Sequence, residues 1–126
     1  MKKGDIFELR KEFKGNYPST CYKHPFIYWT HEHADYRGIM LTTSDNPIYH
    51  NIPLSEEYFK EGWEIRFGKS DEKPISYIAP LFLLKDVKYD HLEKTGELTE
   101  AGRIFISQLI NSLPYEDWVT YQAGKI

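Results

Sequence analysis

The sequence predicts an α+β chain, mainly β: a small β-barrel closed by a C-terminal amphipathic helix. Three observations point there. Five or six short β-prone runs follow one another, turn-forming clusters separate them about every ten positions, and one long helical pattern lies near the end. Strands and helices do not alternate in the βαβ manner, which argues against a parallel nucleotide-binding sheet.

Gly4-Asp5-Ile6-Phe7-Glu8-Leu9-Arg10 alternates polar and apolar residues and reads as the first strand, anchored by Ile6 and Leu9. Residues 11–22 hold Lys11, Lys14, Gly15, Asn16, Pro18, Ser19 and Thr20, turn formers without a period, and read as a loop. Pro25-Phe26-Ile27-Tyr28-Trp29 is strongly β-prone. His24, Phe26 and Tyr28 share one face and Pro25, Ile27 and Trp29 the other, with the proline at the strand's entry, where a missing N–H is tolerated. The polar stretch from His31 to Tyr36 reads as a hairpin turn into Gly38-Ile39-Met40-Leu41-Thr42-Thr43, and Ser44-Asp45-Asn46-Pro47 ends that strand.

Ile48 to Pro53 adds a brief extended piece, and Ser55 to Gly62 reads as a short surface helix with Ser55 as its cap. Residues 45–74 or so form an insertion, within which Trp63-Glu64-Ile65-Arg66-Phe67 alternates like a strand. Ile75 to Ala79 and Leu81 to Leu84 make one strand bent at Pro80, or two. Thr99 caps a helix over about 99–113, whose Ala101, Ile104, Phe105, Ile106, Leu109, Ile110 and Leu113 form a broad apolar stripe. Pro114 opens a second short turn carrying Trp118 and Tyr121.

A length of 126 residues suits one core, so residues 1–126 are expected to form a single domain. With 40% hydrophobic, 28% charged and 16% aromatic residues, the chain is not of disordered composition. The longest apolar run, Ile78 to Leu84, falls far short of the roughly 20 residues a bilayer span needs, and the N-terminus lacks an apolar signal region. A cytoplasmic protein with no membrane partner is the expectation. The single Cys21 has no disulfide mate and reads as a small buried apolar residue. A net charge of −3 argues against a general nucleic-acid coat, but residues 1–23 hold six Lys and Arg against three acids, which makes a local basic arm.

No glycine-rich phosphate loop, zinc-protease helix, nucleophile elbow or calcium loop is present, so no cofactor is expected. His31 and His33, with Glu32 or Asp35, are spaced to share a metal, giving a metal-dependent hydrolase as one alternative; a solvated hairpin tip explains them as well. His50 and His91 read as surface histidines. More informative are Lys23-His24-Pro25 and Leu41-Thr42-Thr43-Ser44, which an antiparallel register would bring together at one sheet end. Cleaving RNA by internal attack needs removal of the 2′-hydroxyl proton, donors around a phosphorane, and protonation of the departing 5′-oxygen. His24, Lys23 or Arg37, and Thr43 or Ser44 offer those groups. His24 merely starting a strand, with Thr42 and Thr43 chosen for β propensity, is the plainer explanation of the same residues.

Gly4-Asp5-Ile6, then Lys23-His24-Pro25-Phe26-Ile27-Tyr28-Trp29, then Gly38-Ile39-Met40-Leu41-Thr42-Thr43-Ser44, resembles the MazF/PemK family of toxin ribonucleases. Ser76-Tyr77-Ile78-Ala79, Leu83-Leu84-Lys85 and Gly96-Glu97-Leu98 before the helix are similar to that family's closing strands and final helix, so the likeness spans most of residues 4–113. It implies an SH3-like barrel, a homodimer, metal-independent cleavage of single-stranded RNA and an antitoxin protein that blocks the groove. His24 stands where the family carries its catalytic arginine; a histidine exchanges protons near neutrality, whereas arginine stays charged. The family's Thr/Ser matches Thr43 and Ser44. On this reading His24, Thr43 and Ser44 are catalytic, and Lys11, Lys14, Tyr17, Tyr22, Lys23 and Arg37 bind substrate, the arm guiding and stacking the strand. A non-catalytic SH3-like module that holds a peptide or an RNA is the alternative from a different class.

Overall fold

The structure, a computed structural model, describes residues 2–18, 24–32, 35–42, 46–60, 76–85 and 87–123. Strands β1 (Asp5–Leu9), β2 (Phe26–Glu32), β3 (Asp35–Thr42), β4 (Ile52–Leu54), β5 (Ser76–Ile78), β6 (Phe82–Leu84), β7 (Leu92–Glu97) and β8 (Tyr115–Asp117) join in one sheet. Its main path runs β4-β5-β3-β2-β1-β7; β6 also pairs with β3, and β8 lies parallel to β6. Helix α1 (Glu100–Ile110) and the short α2 (Trp118–Ala123) complete a chain that is α+β and mainly β.

Period-two alternation buries both faces of the central strands. Ile27 and Trp29 of β2 and Ile39 and Leu41 of β3 enter one core with Ile6, Leu54, Phe59, Ile78, Phe82, Leu98 and Ile106 of α1. Phe26 and Tyr28, with Tyr36 and Met40, enter a second core with Phe7, Leu9, Leu83, Val87, Leu92 and Trp118. The β2–β3 ladder runs further than the polar residues suggest, pairing His31 with Tyr36 and Glu32 with Asp35. The stretch from His31 to Tyr36 expected to be a turn is therefore strand at both its ends, because the β-prone run before it carries the ladder outward. Gly38 sits where this ladder has an irregularity between Tyr28 and Thr30; a Cβ there would lie 2.0 Å from the Ile27 carbonyl oxygen.

Pro80 divides one run of chain into two strands against the same edge of β3. Leu41 pairs with Ile78, but Gly38 pairs with Leu83, so two more residues are spent on the outer strand than on β3. The excess is taken up in a three-residue turn, with the Leu81 N–H donating to the Ala79 carbonyl at 2.8 Å.

The middle segment is less peripheral than an insertion would be. Leu54 and Phe59 are buried, and the expected helix over Ser55 to Gly62 is a single 3-10 turn at Glu56–Tyr58. Beyond it Phe59 bridges Leu98, and the Lys60 N–H donates to the Glu97 carbonyl at 2.9 Å. The strand pattern read at Trp63 to Phe67 lies outside the described residues.

Helix α1 begins as the sequence indicates, its Thr99 Oγ1 accepting the Gly102 N–H at 3.2 Å. The apolar stripe is narrower than expected: Ile106 is buried and Phe105, Leu109 and Ile110 are half-buried, while Ala101 and Ile104 face solvent. Gly102 packs on the 3-10 turn so closely that a Cβ would sit 2.4 Å from the Tyr58 carbonyl oxygen. Beside it Glu97 gathers Lys60 at 2.5 Å, Lys94 at 2.9 Å and Arg103 at 3.8 Å, and Lys94 also reaches the buried Asp5 at 3.3 Å. Hydrogen bonds from Lys60 and then Lys94 hold the Glu97 carboxyl down at about 2.

Two outcomes are expected. Gly102→Ala should lower the melting midpoint by about 5–10 °C, read by circular dichroism, because the backbone at Tyr58 has to yield. The Glu97 carboxyl titrates near 2 in the fold against 4.5 in a free chain, so its stabilisation is full above pH 4.5 and disappears as pH falls toward 2. Glu97→Gln should remove about 1 kcal/mol at neutral pH and flatten the acid limb of a denaturation series over that window.

Candidate functional site

Three strand ends meet at one end of the sheet. Phe7 pairs with Phe26, Phe26 with Met40, and the Leu41 N–H donates to the Pro25 carbonyl at 2.8 Å. His24 lies at a bend just before Pro25 and the start of β2, and Thr42 ends β3 one residue beyond Leu41. Thr42 shares the β3 face of Met40. His24 is half-buried and Thr42 is buried. Tyr22, Lys23, Thr43 and Ser44 lie outside the described residues.

The basic arm leaves β1 at this same end. It is ordered where the sequence shows no period: Lys11–Asn16 form a 3-10 helix with Lys11 and Lys14 exposed. What orders it comes from far along the chain. The Phe13 ring stacks on His91 at 3.9 Å with 10° between the planes, and the Tyr17 hydroxyl meets His91 Nδ1 at 2.9 Å. The Tyr17 oxygen also accepts the Lys88 N–H at 3.2 Å. Tyr17 is thus half-buried against the body of the protein, with its ring edge-on to His91. His91, read as a surface histidine, is instead the post to which the arm is tied. No local pattern announces this, because the partners are 74 residues apart in sequence.

Arg37 departs from the expectation that it faces substrate. It lies on the β3 face opposite Met40 and Thr42, is 7% exposed, and its Nη1 donates to the Phe82 and Glu116 carbonyls at 3.0 and 3.1 Å. Its guanidinium also lies 4.7 Å from the Tyr115 ring centroid. Those contacts fasten β8 to β6.

At the hairpin end, the exposed His31 shares a hydrogen bond at Nδ1 with the buried Tyr28 hydroxyl, and its ring lies 4.8 Å from that of Tyr89. Burial raises the pKa of both Tyr28 and Tyr89, keeping the phenols protonated. Among the described residues, no three His, Cys, Asp or Glu side chains are grouped to hold a metal; His33 lies outside them. No helix of the described residues is long and apolar enough to cross a membrane.

No family model, no curated protein and no solved structure matches the chain.

His91→Ala deletes a ring stack and a hydrogen bond, together worth about 1–1.5 kcal/mol. Tryptic cleavage after Lys11 and Lys14 should quicken about ten-fold in that variant while the global melting midpoint moves little.

Proposed function

We propose that the chain is a metal-independent endoribonuclease of the MazF/PemK kind, cutting single-stranded RNA by attack of the 2′-hydroxyl on the adjacent phosphorus. The observation that supports this reading is the 2.8 Å hydrogen bond from the Leu41 N–H to the Pro25 carbonyl, which brings the chain entering β2 beside the end of β3, from which Thr43 and Ser44 continue in sequence, next to an arm presenting Lys11 and Lys14. In this mechanism His24 takes the 2′-hydroxyl proton as the 2′-oxygen bonds to phosphorus. Thr43 and Ser44 donate to the phosphorane oxygens, Lys23 supplies a cation, and the imidazolium returns a proton to the departing 5′-oxygen. The products are a 2′,3′-cyclic phosphate and a 5′-hydroxyl.

The same reading takes the fold as an SH3-like barrel. The Phe59–Leu98 bridge supports it, since it draws the chain leaving β4, at one edge of the sheet, to the end of β7 at the other. A cytoplasmic homodimer held in check by an antitoxin protein completes the proposal. The second reading, a binding module that holds RNA or peptide without cutting, is favoured by two observations. A histidine stands at the place of the family's arginine, and Arg37 is committed to β8.

Purified protein incubated with a labelled single-stranded RNA in excess chelator should give fragments ending in cyclic phosphate. His24→Ala should slow the cut at least about a hundred-fold. RNA left intact by the wild-type protein would end the nuclease reading, and retention of RNA without fragments would establish the module in its place.

A further inference from the structure

We propose that His91 presents its Nε2 to a backbone phosphate of single-stranded RNA and, with Lys11 and Lys88, forms the anion contact of the basic arm. This deepens the RNA reading above and rests on it.

The imidazole is held on two sides and open on a third. Phe13 stacks on its face at 3.9 Å, and the Tyr17 hydroxyl meets Nδ1 at 2.9 Å. The main chain fixes the turn that carries it: the Arg10 N–H donates to the His91 carbonyl at 2.9 Å, and the His91 N–H to the Lys88 carbonyl at 3.0 Å. Nε2 has no hydrogen-bond partner among the described residues. The buried side-chain polar atom without one there is Thr95 Oγ1, so Nε2 reaches solvent. A ring fixed at one nitrogen and open at the other is preorganised, and little freedom is lost when an anion arrives.

Charge around the ring favours that anion, although the chain as a whole is acidic. In the 3-10 helix Lys11–Asn16 a spacing of three residues sets Lys11 and Lys14 above one another on one ridge. Lys11 and Lys88 are exposed, and neither ammonium enters an ion pair among the described residues. Arg10 and Glu12 offset each other at 3.9 Å, which leaves Asp90 as the remaining acid of the arm and the turn, beside the phenols of Tyr17 and Tyr89. Glu8 and Glu93, paired across β1 and β7, alternate onto the opposite face from Leu9 and Leu92. An imidazolium added to these cations would donate a charge-assisted hydrogen bond to a phosphate oxygen.

Position ties His91 to the cleavage site. β1 lies between β2 and β7, and both neighbours are entered at its Leu9 end, β2 at Phe26 opposite Phe7 and β7 at Leu92 opposite Leu9. These entries, preceded by His24 and His91, are two strand spacings of about 4.8 Å each apart across the sheet, a distance a short RNA strand spans.

The test uses the full chain carrying His24→Ala, which removes the imidazole of the cleavage site, and a fluorescein-labelled single-stranded oligoribonucleotide read by anisotropy. His91→Asn keeps an amide at the place of Nδ1 for Tyr17 and lacks Nε2. It should weaken binding about ten-fold and lower the slope of log affinity against log salt by about 0.7, the share of one phosphate contact. Binding should tighten as pH falls from about 8 to about 6, and most of that gain should vanish in His91→Asn. Tryptic cleavage after Lys11 and Lys14 should keep its rate, since the arm stays tied. Equal affinity and salt slope with and without His91→Asn overturn the contact and leave RNA binding standing. Weaker binding accompanied by faster tryptic cleavage makes His91 a post for the arm alone and also overturns it. His91-dependent binding, with no cutting by the chain that retains His24, supports the contact and ends the nuclease reading. A protein that does not bind RNA overturns both.

Discussion

Everything in this fold is arranged around β3, a strand that has to satisfy neighbours on both edges and cores on both faces. β2 takes one edge for most of its length, while β5 and β6 share the other. Ile39 and Leu41 serve one core and Met40 the other, so no position on the strand's second half is indifferent to substitution. A strand enclosed in this way cannot slip: a shift of one residue would exchange the two side-chain sets between cores. That fixed register also holds the end of β3 against the entry of β2, where the Leu41 N–H meets the Pro25 carbonyl.

The site region and the ion cluster lie at opposite ends of β1 and depend on different physics. At the Asp5 end, charge holds segments together: Glu97 links Lys60, Lys94 and Arg103, and thereby the chain after β4, β7 and α1. At the Leu9 end, rings do the same work, with Phe13 and Tyr17 clamping the arm to His91. The first kind of link weakens with acid and salt, whereas ring stacking is little screened by salt. The basic arm is thus held in place by contacts that leave the charges of Lys11 and Lys14 at the surface.

Much of the architecture was legible in the sequence because it rests on local periodicity. The strands β1 and β2, the bend at Pro80 and the Thr99 cap are each written in a few consecutive residues and hold in the structure. What was illegible depends on distant partners. The order of the arm needed His91, and burial of Phe59 needed its bridge to Leu98. Arg37 looked available because a lone arginine in a strand carries no mark of the carbonyls that will claim it; Phe82 and Glu116 lie 45 and 79 residues away. The chemistry expected of His24 was legible as a residue type and a neighbourhood. Half of that neighbourhood, Lys23, Thr43 and Ser44, lies beyond the described residues.

Pro53 at the centre of β4 carries a consequence for life in a crowded solution. Among the described residues β4 ends the main path of the sheet and pairs with β5 alone, and a residue without an N–H at its middle interrupts the row of donors that another chain's strand would grip. β8 is blunted by other means, being three residues long, preceded by Pro114 and carrying Glu116 and Asp117. A protein so rich in β-prone, aromatic segments is thereby poorly suited to templating fibrils through these two borders.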